Sequence, residues 1–315
     1  MLIEVNSKSY NHYFPVNPHP FISVPFMELN KEKVNRVVRL IENAEKVYLG
    51  LVAGIKDGML ISPFSAPFGG FHYRHSNINI REIDHFLSLL QSYIVSQGLT
   101  KIEISLPPDI YDPSFNAKMI NAFIRSNFSM ATPEITNWID LIKFTGVFTN
   151  VNTRNQYNQA VRFNLSFSQV SKTNEKLAVY ELIRQNRERF GRPIHMSFRD
   201  LQNTEQLWPV DFFIVRDSEQ NNLAAAILYR VHPKIIQTVF WGDNEQGRSK
   251  RAMDFFSMNL WNHYKQSGYE FIDLGRSSIS GIPDEGLLHF KETHGCTSSL
   301  RFTFSWNPSN ILMKD

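Results

Sequence analysis

Apolar positions recur along this chain at two spacings, and the switches between them mark the expected elements. Residues 47–55 and 59–62 alternate around Lys56-Asp57-Gly58, which reads as a β-hairpin. Residues 79–97 keep a helical spacing until Gly98, and KIEISL at 101–106 alternates as a strand before Pro107 and Pro108. Residues 31–46, with Val34, Val37, Val38 and Ile41 on one helical face, predict a helix. A further helix is expected over 116–126 and a strand over 137–142. Residues 1–30, dense in Pro and aromatic side chains, predict an extended packed arm without regular elements.

The second half runs through a similar order. Helices are expected at 153–163, 175–190 and 198–208, and a strand at 165–170. A meander follows at 212–216, 223–232 and 235–241, then a long helix at 250–266. A long helix, a glycine and a strand recur as Gly98 with LTKIEI and as Gly268 with YEFIDL. Equal order with weak residue identity predicts duplication of one fold, as domains 1–145 and 146–315. The stretch 269–306 has the densest chemistry. It reads as a strand ending at Gly275, a polar loop through Arg276, Ser277 and Ser278, a short helix capped by Asp284, and a closing strand after Gly295.

Composition narrows the class. Hydrophobic residues make up 42% and charged residues 20%, which supports a sizeable core and argues against disorder. A net charge of +3 allows a local basic site but not the broad basic face of a duplex-DNA protein. The single cysteine, Cys296, leaves no intramolecular disulfide and no cysteine-cluster metal site, and no metal is expected. No apolar run approaches the ~20 residues of a membrane span, and the first residues lack a signal-peptide pattern. A cytoplasmic protein is expected, with attachment to the face of the inner membrane left open.

The motifs at 154–162 (RNQYNQAVR), 271–275 (FIDLG) and 286–295 (GLLHFKETHG) resemble those of the FemAB-like aminoacyl and acyl transferases. The resemblance implies an α+β fold of two tandem GNAT-like (acyl-CoA N-acyltransferase) domains, each a mixed, mostly antiparallel sheet flanked by helices. It also implies acyl transfer to an amine. The acyl donor is then acyl-CoA as co-substrate and the acceptor a small-molecule or carrier-linked amine, such as an amino sugar of a cell-surface polymer. A charged tRNA is the alternative donor, and a binding protein that has lost catalysis is the alternative to both. By the resemblance, Lys291 faces the acyl carbonyl and Phe290 lines the pocket. His289 is a candidate base. Asp273 either pairs with a cation such as Arg276 or Arg301, or acts as the base. Two features depart from the family pattern. The phosphate-binding loop is reduced to Asn244-Glu-Gln-Gly247-Arg248-Ser249, followed by Lys250 and Arg251. That stretch fits either a phosphate site at a helix start or a solvated basic turn. The helical-hairpin insertion of some tRNA-using relatives is also missing. Ser277, Arg276 and Arg187 are candidates for an anionic acceptor group. The loop at 65–73, with Phe68, Gly69, Gly70 and Tyr73, is a candidate acceptor-side lining.

Overall fold

The computed structural model describes residues 1–75 and 77–311. The chain divides into two compact units, one of residues 1–135, 280–282 and the C-terminal segment from Ser299, the other of residues 136–279 and 283–298.

The first unit contains β1 (Leu2–Glu4), β2 (Arg36–Glu42), β3 (Leu49–Lys56), β4 (Met59–Ser62), β5 (His72–Tyr73), β6 (Lys101–Ser105) and β7 (Ser129–Met130). Its helices are α1 (Ser7–Tyr13), α2 (Val24–Leu29), α3 (Ile80–Ser96) and α4 (Pro113–Arg125). The sheet runs β1-β2-β3-β4-β6, then the C-terminal strand Thr303–Trp306, then β7, with β5 against β3. Among the described residues of this sheet, only β4 and β6 pair in parallel. Asn79 and Glu82 form a capping box at the start of α3, which buries Ile83, Phe86, Leu87, Leu90 and Ile94 along one face.

Two expectations fail here. Residues 31–46 form a 3-10 turn, Lys31–Lys33, followed by strand β2 instead of a helix. The strand is covered on both faces: Val38 and Leu40 enter the main core, while Val37 and Ile41 pack with Tyr10, Phe14 and Val24. A strand buried on both sides shows no clean alternation, so its apolar residues also satisfied a helical period. Residues 1–30 carry regular elements after all. Asn6 caps α1 by accepting from the Ser9 N–H, and Ser23 caps α2 by accepting from the Phe26 N–H.

The second unit is built on β8 (Glu134–Asp140), β9 (Ser166–Val170), β10 (Val210–Arg216), β11 (Asn222–His232), β12 (Ile235–Asp243), β13 (Phe271–Arg276), the short β14 (Ser278–Ile279) and β15 (Ile282–Pro283), and β16 (Thr297–Arg301). Its helices are α5 (Val151–Val161), α6 (Thr173–Arg189), α7 (Phe198–Glu205), α8 (Glu245–Ser249), α9 (Ala252–Gln266) and α10 (Glu285–Thr293). The sheet order is β16-β8-β13-β12-β11-β10-β9, and β12 and β13 are parallel. Each unit thus repeats a hairpin, a helix and a parallel strand: β3-β4-α3-β6 and β11-β12-α9-β13. In both, a glycine of positive φ (Gly98 and Gly268) reverses the chain after the helix.

One irregularity shapes the second unit. Strand β12 pairs with β13 only from Ile235 and Phe271 to Gln237 and Asp273, yet β12 continues to Asp243. Ile227 faces Phe240 and Leu228 faces Thr238, so Val239 is an extra, bulged residue. Beyond the bulge the end of β12 has no parallel neighbour.

Candidate functional site

A cavity of about 660 Å³ opens in the second unit beside the free end of β12. Trp241 and Asp243 reach it from β12, Arg248 and Arg251 from α8 and the turn after it, Asp254 from α9, and Phe290 and His294 from α10 and its C-cap. The volume suits a small ligand or the reactive end of a larger one. Trp241 and Phe290 meet edge to face, with ring centroids 5.6 Å apart, and form its aromatic wall.

The positive side is made by side chains. Arg248 has a buried Nη2 without a hydrogen-bond partner in the protein, and its guanidinium lies 5.9 Å from the centre of the Phe190 ring. Arg251 begins α9 in a left-handed conformation (φ 57°, ψ 35°), a strained position for a side-chain-bearing residue. The backbone of this turn is closed on itself. The N–H of Gly247 donates to Asn244 Oδ1, that of Arg248 to Asn244 O, that of Lys250 to Gln246 O and that of Arg251 to Arg248 O.

Three ionisable groups define the chemistry. Burial holds the Asp243 carboxyl up at about 6, with Arg189 working against the rise and Asp254 adding to it. Its main-chain carbonyl accepts from Asn186 Nδ2 at 2.6 Å. Asp254 and His294 are both buried, and His294 Nε2 lies 3.2 Å from Asp254 Oδ1 without forming a well-aligned hydrogen bond. His294 Nδ1 sits 2.6 Å from Phe290 O, and its ring lies against Phe290 with centroids 3.9 Å apart.

The residues expected from sequence scatter around this cavity. Phe290 and the exposed His289 line it, as do Arg248 and Arg251. Gly247 is fixed by packing: a Cβ there would stand 2.2 Å from Leu223 O. Ser249 Oγ donates to Gln246 O, and Lys250 ion-pairs with Asp217 at 2.7 Å. Lys291 is only 1% exposed, and its Nζ donates to Gly275 O (2.9 Å) and Arg276 O (3.1 Å) at the end of β13. Burial lowers its ammonium to about 8. Asp273 is buried, with Oδ1 accepting from the Gly275 N–H and Oδ2 from Gln237 Nε2. Ser277 donates to Asn137 Oδ1 at 2.5 Å. Arg187 has a buried Nε without a hydrogen-bond partner, and burial, then Arg192 and Arg276, depress its pKa.

In the first unit, Phe68 packs edge-on against His19 and Tyr111. Gly69, Gly70 and Tyr73 border a cavity of about 10 Å³, room for roughly one water. Tyr73 donates to Asp112 Oδ2 at 2.9 Å, and its ring lies 4.1 Å from that of Phe115.

Asp243, Asp254, His294 and Trp241 were missed in the sequence. One of them left a readable signal. Asp254, Met258 and Trp261 follow at i, i+4 and i+7 and are all buried, so a carboxylate stood in the apolar stripe of α9.

The paired hairpin–helix–strand units build a tandem fold that is also found in FemX and in a tandem GNAT protein. No family model and no curated protein matches the sequence. Solved structures share the fold. FemX aligns over 99% of this chain and 98% of its own, with a TM-score of 0.70 at 12% identity. The C-terminal domain of a putative lysylphosphatidylglycerol synthetase from Agrobacterium fabrum gives a TM-score of 0.60 at 11% identity, covering 97% and 94%. A tandem GNAT protein from the clavulanic acid biosynthesis pathway gives 0.57 at 7% identity, covering 98% of each chain. Among the described residues, no helix is long and apolar enough to cross a membrane.

Proposed function

We propose that the second unit transfers an acyl group to a primary amine in the cavity beside β12, with Asp243 taking the amine's proton. The observation that carries this reading is a half-buried carboxyl, held at about 6, in the wall of a cavity sized for the reactants. A primary amine titrates near 10, so the nucleophile needs a base at neutral pH, and a carboxylate of raised affinity serves better than an ordinary one. The acyl donor is acyl-CoA, whose phosphates would meet the Arg248 and Arg251 side chains. The N–H groups of Gly247, Arg248, Lys250 and Arg251 are engaged within that turn, which leaves the grip there to the arginine side chains. The acceptor is an amine on a sugar or a carrier, as the sequence resemblance implies. Lys291, by its contacts, sets the end of β13 behind the reacting groups.

The test is calorimetry of the intact protein with coenzyme A, followed by thiol release from acetyl-CoA with a panel of amines. Binding and amine-dependent release are expected, and Asn at position 243 should slow release by about 100-fold or more. Neither binding nor release would sink the CoA reading. A charged tRNA is the second reading. It is favoured by the N–H groups of Gly247, Arg248, Lys250 and Arg251, which are already engaged within the turn. Transfer from charged tRNA, with no CoA binding, would establish it in place of the first.

A further inference from the structure

We propose that Asp254 and His294 form the proton-donating pair of this cavity, holding one proton between them and passing it through Asp254 to the atom that leaves the acyl carbon. This rests on the acyl-transfer reading above.

Hydrogen-bond chemistry fixes the proton count. A carbonyl oxygen only accepts, so the 2.6 Å contact between His294 Nδ1 and Phe290 O requires the proton on Nδ1. The other nitrogen, Nε2, then faces Asp254 Oδ1 at 3.2 Å. An ionised carboxylate also only accepts. With a bare Nε2, two lone pairs would oppose each other in a buried place, which is strongly unfavourable. One proton must therefore reside on Nε2 or Oδ1. Both residues line the cavity, but His294 Nε2 is itself buried, so delivery of the proton falls to the Asp254 carboxyl. The imperfect alignment of the pair is usual for a catalytic contact without its ligand.

Surroundings separate the two carboxyls of the cavity. Asp243 at the end of β12 is faced from α6 by Arg189 and Asn186. Asp254 on α9 is faced from α10 by His294. Arg248, Arg251 and His289 complete the charged and titratable lining. Two carboxyls in unlike settings divide naturally into base and acid.

The step balances. The amine lone pair forms the C–N bond while the carbonyl π pair moves to oxygen, and the nitrogen's proton goes to Asp243. The oxygen pair then returns, and the C–S bond of a thioester, or the C–O bond of an ester, breaks with its electrons on the leaving atom. That atom takes the proton from Asp254. Solvent returns a proton from Asp243 to the pair, so the protein ends the cycle as it began.

Two measurements test this. Nitrogen-15 NMR of the histidine rings in the intact protein at pH 7 should show His294 with Nδ1 protonated and a proton shared between Nε2 and Asp254. A bare Nε2 facing an ionised Asp254 overturns the proposal, whether or not any amine is acylated. In the pH profile of acyl transfer, Asp254→Asn and His294→Gln should each lower the rate by about 100-fold and remove the alkaline limb, leaving the acid limb of Asp243 in place. A uniform loss with both limbs kept marks a merely structural pair and also overturns it. Near-UV circular dichroism shows which variant keeps the fold, and either one suffices. A wild-type protein that acylates no amine from either donor removes the acyl-transfer reading and the delivery step with it. The proton on the pair is then still decided by NMR.

Discussion

The raised carboxyl of Asp243 makes stability depend on pH and, under the proposed acyl transfer, activity as well. Its folded-state pKa of about 6 stands above that of an ordinary carboxyl. The native state therefore binds the proton more tightly than the unfolded chain between roughly pH 4 and 6, and that contribution is lost as pH rises through 6. Asp243→Asn removes the charge that burial penalises. The variant should gain up to about 2–3 kcal/mol over the wild type at pH 8 and nothing at pH 4, by urea unfolding at both pH values. Wild-type transfer should fall as pH drops through about 6, and the variant should lack that limb. Equal stability of the two proteins at pH 8 would show that Asp243 is not held up by burial. Arg251 poses the opposite trade. Its left-handed backbone is one that glycine adopts freely. Arg251→Gly should leave stability unchanged or raise it by up to about 1 kcal/mol, while weakening donor binding by about tenfold in calorimetry. A variant that binds the donor as tightly as the wild type would remove Arg251 from the site.

At the scale of single elements, α10 carries two faces of different purpose. Phe290 and His294, four apart, face the cavity, while Lys291 turns to the carbonyls of Gly275 and Arg276. The lysine has a folded-state pKa of about 8, below its unfolded value. Its charge thus opposes folding below pH 8, and that opposition fades as pH rises from 8 towards 10.5. Relative to Lys291→Met, the wild type should gain up to about 3 kcal/mol over that window; parallel stability curves would contradict a buried charge. The helix itself was legible: the Asp284 cap and Gly295 stop lie where the sequence implies. So was the hairpin of β3 and β4. The strand β2 was not, because cover on both faces erased its alternation. The cavity was only partly legible. Phe290, His294, Arg248 and Arg251 lie on motifs, but Asp243 and the pairing of His294 with Asp254 depend on elements distant in sequence, which local spacing does not carry. The basic turn shows the same limit. Its charges were visible, yet the pairing of Lys250 with Asp217, 33 residues away, decides which of them are available.

At the scale of the molecule, the repeat in the sequence does not close each sheet with its own last strand. The outer neighbour of β6 is Thr303–Trp306, the last strand among the described residues, and the outer neighbour of β13 is β8, which precedes α5. Equivalent strands have been exchanged between the repeats. Ser105 and Thr303 share a hydrogen bond across 198 residues of chain, a separation with no local signature. Phe304 is fully buried and stacks on Phe123 with centroids 4.7 Å apart, and Trp306 lies in the same core. The first unit should therefore depend on the C-terminal end of the chain. Phe304→Ala should lower stability by about 3–5 kcal/mol in urea. Removal of residues 299–315 should go further, because it leaves one edge of β6 unpaired and takes Phe304 and Trp306 from the core. Hydrogen exchange followed at the amides of Lys101–Ser105 reports on that edge directly. In the full chain these amides should be protected to near the global stability, and in the shortened chain they should exchange within the dead time. Retained protection of β6 without residues 299–315 would mean that the first unit completes its sheet unaided, and that the exchanged strand is an ornament to the fold instead of a part of its core.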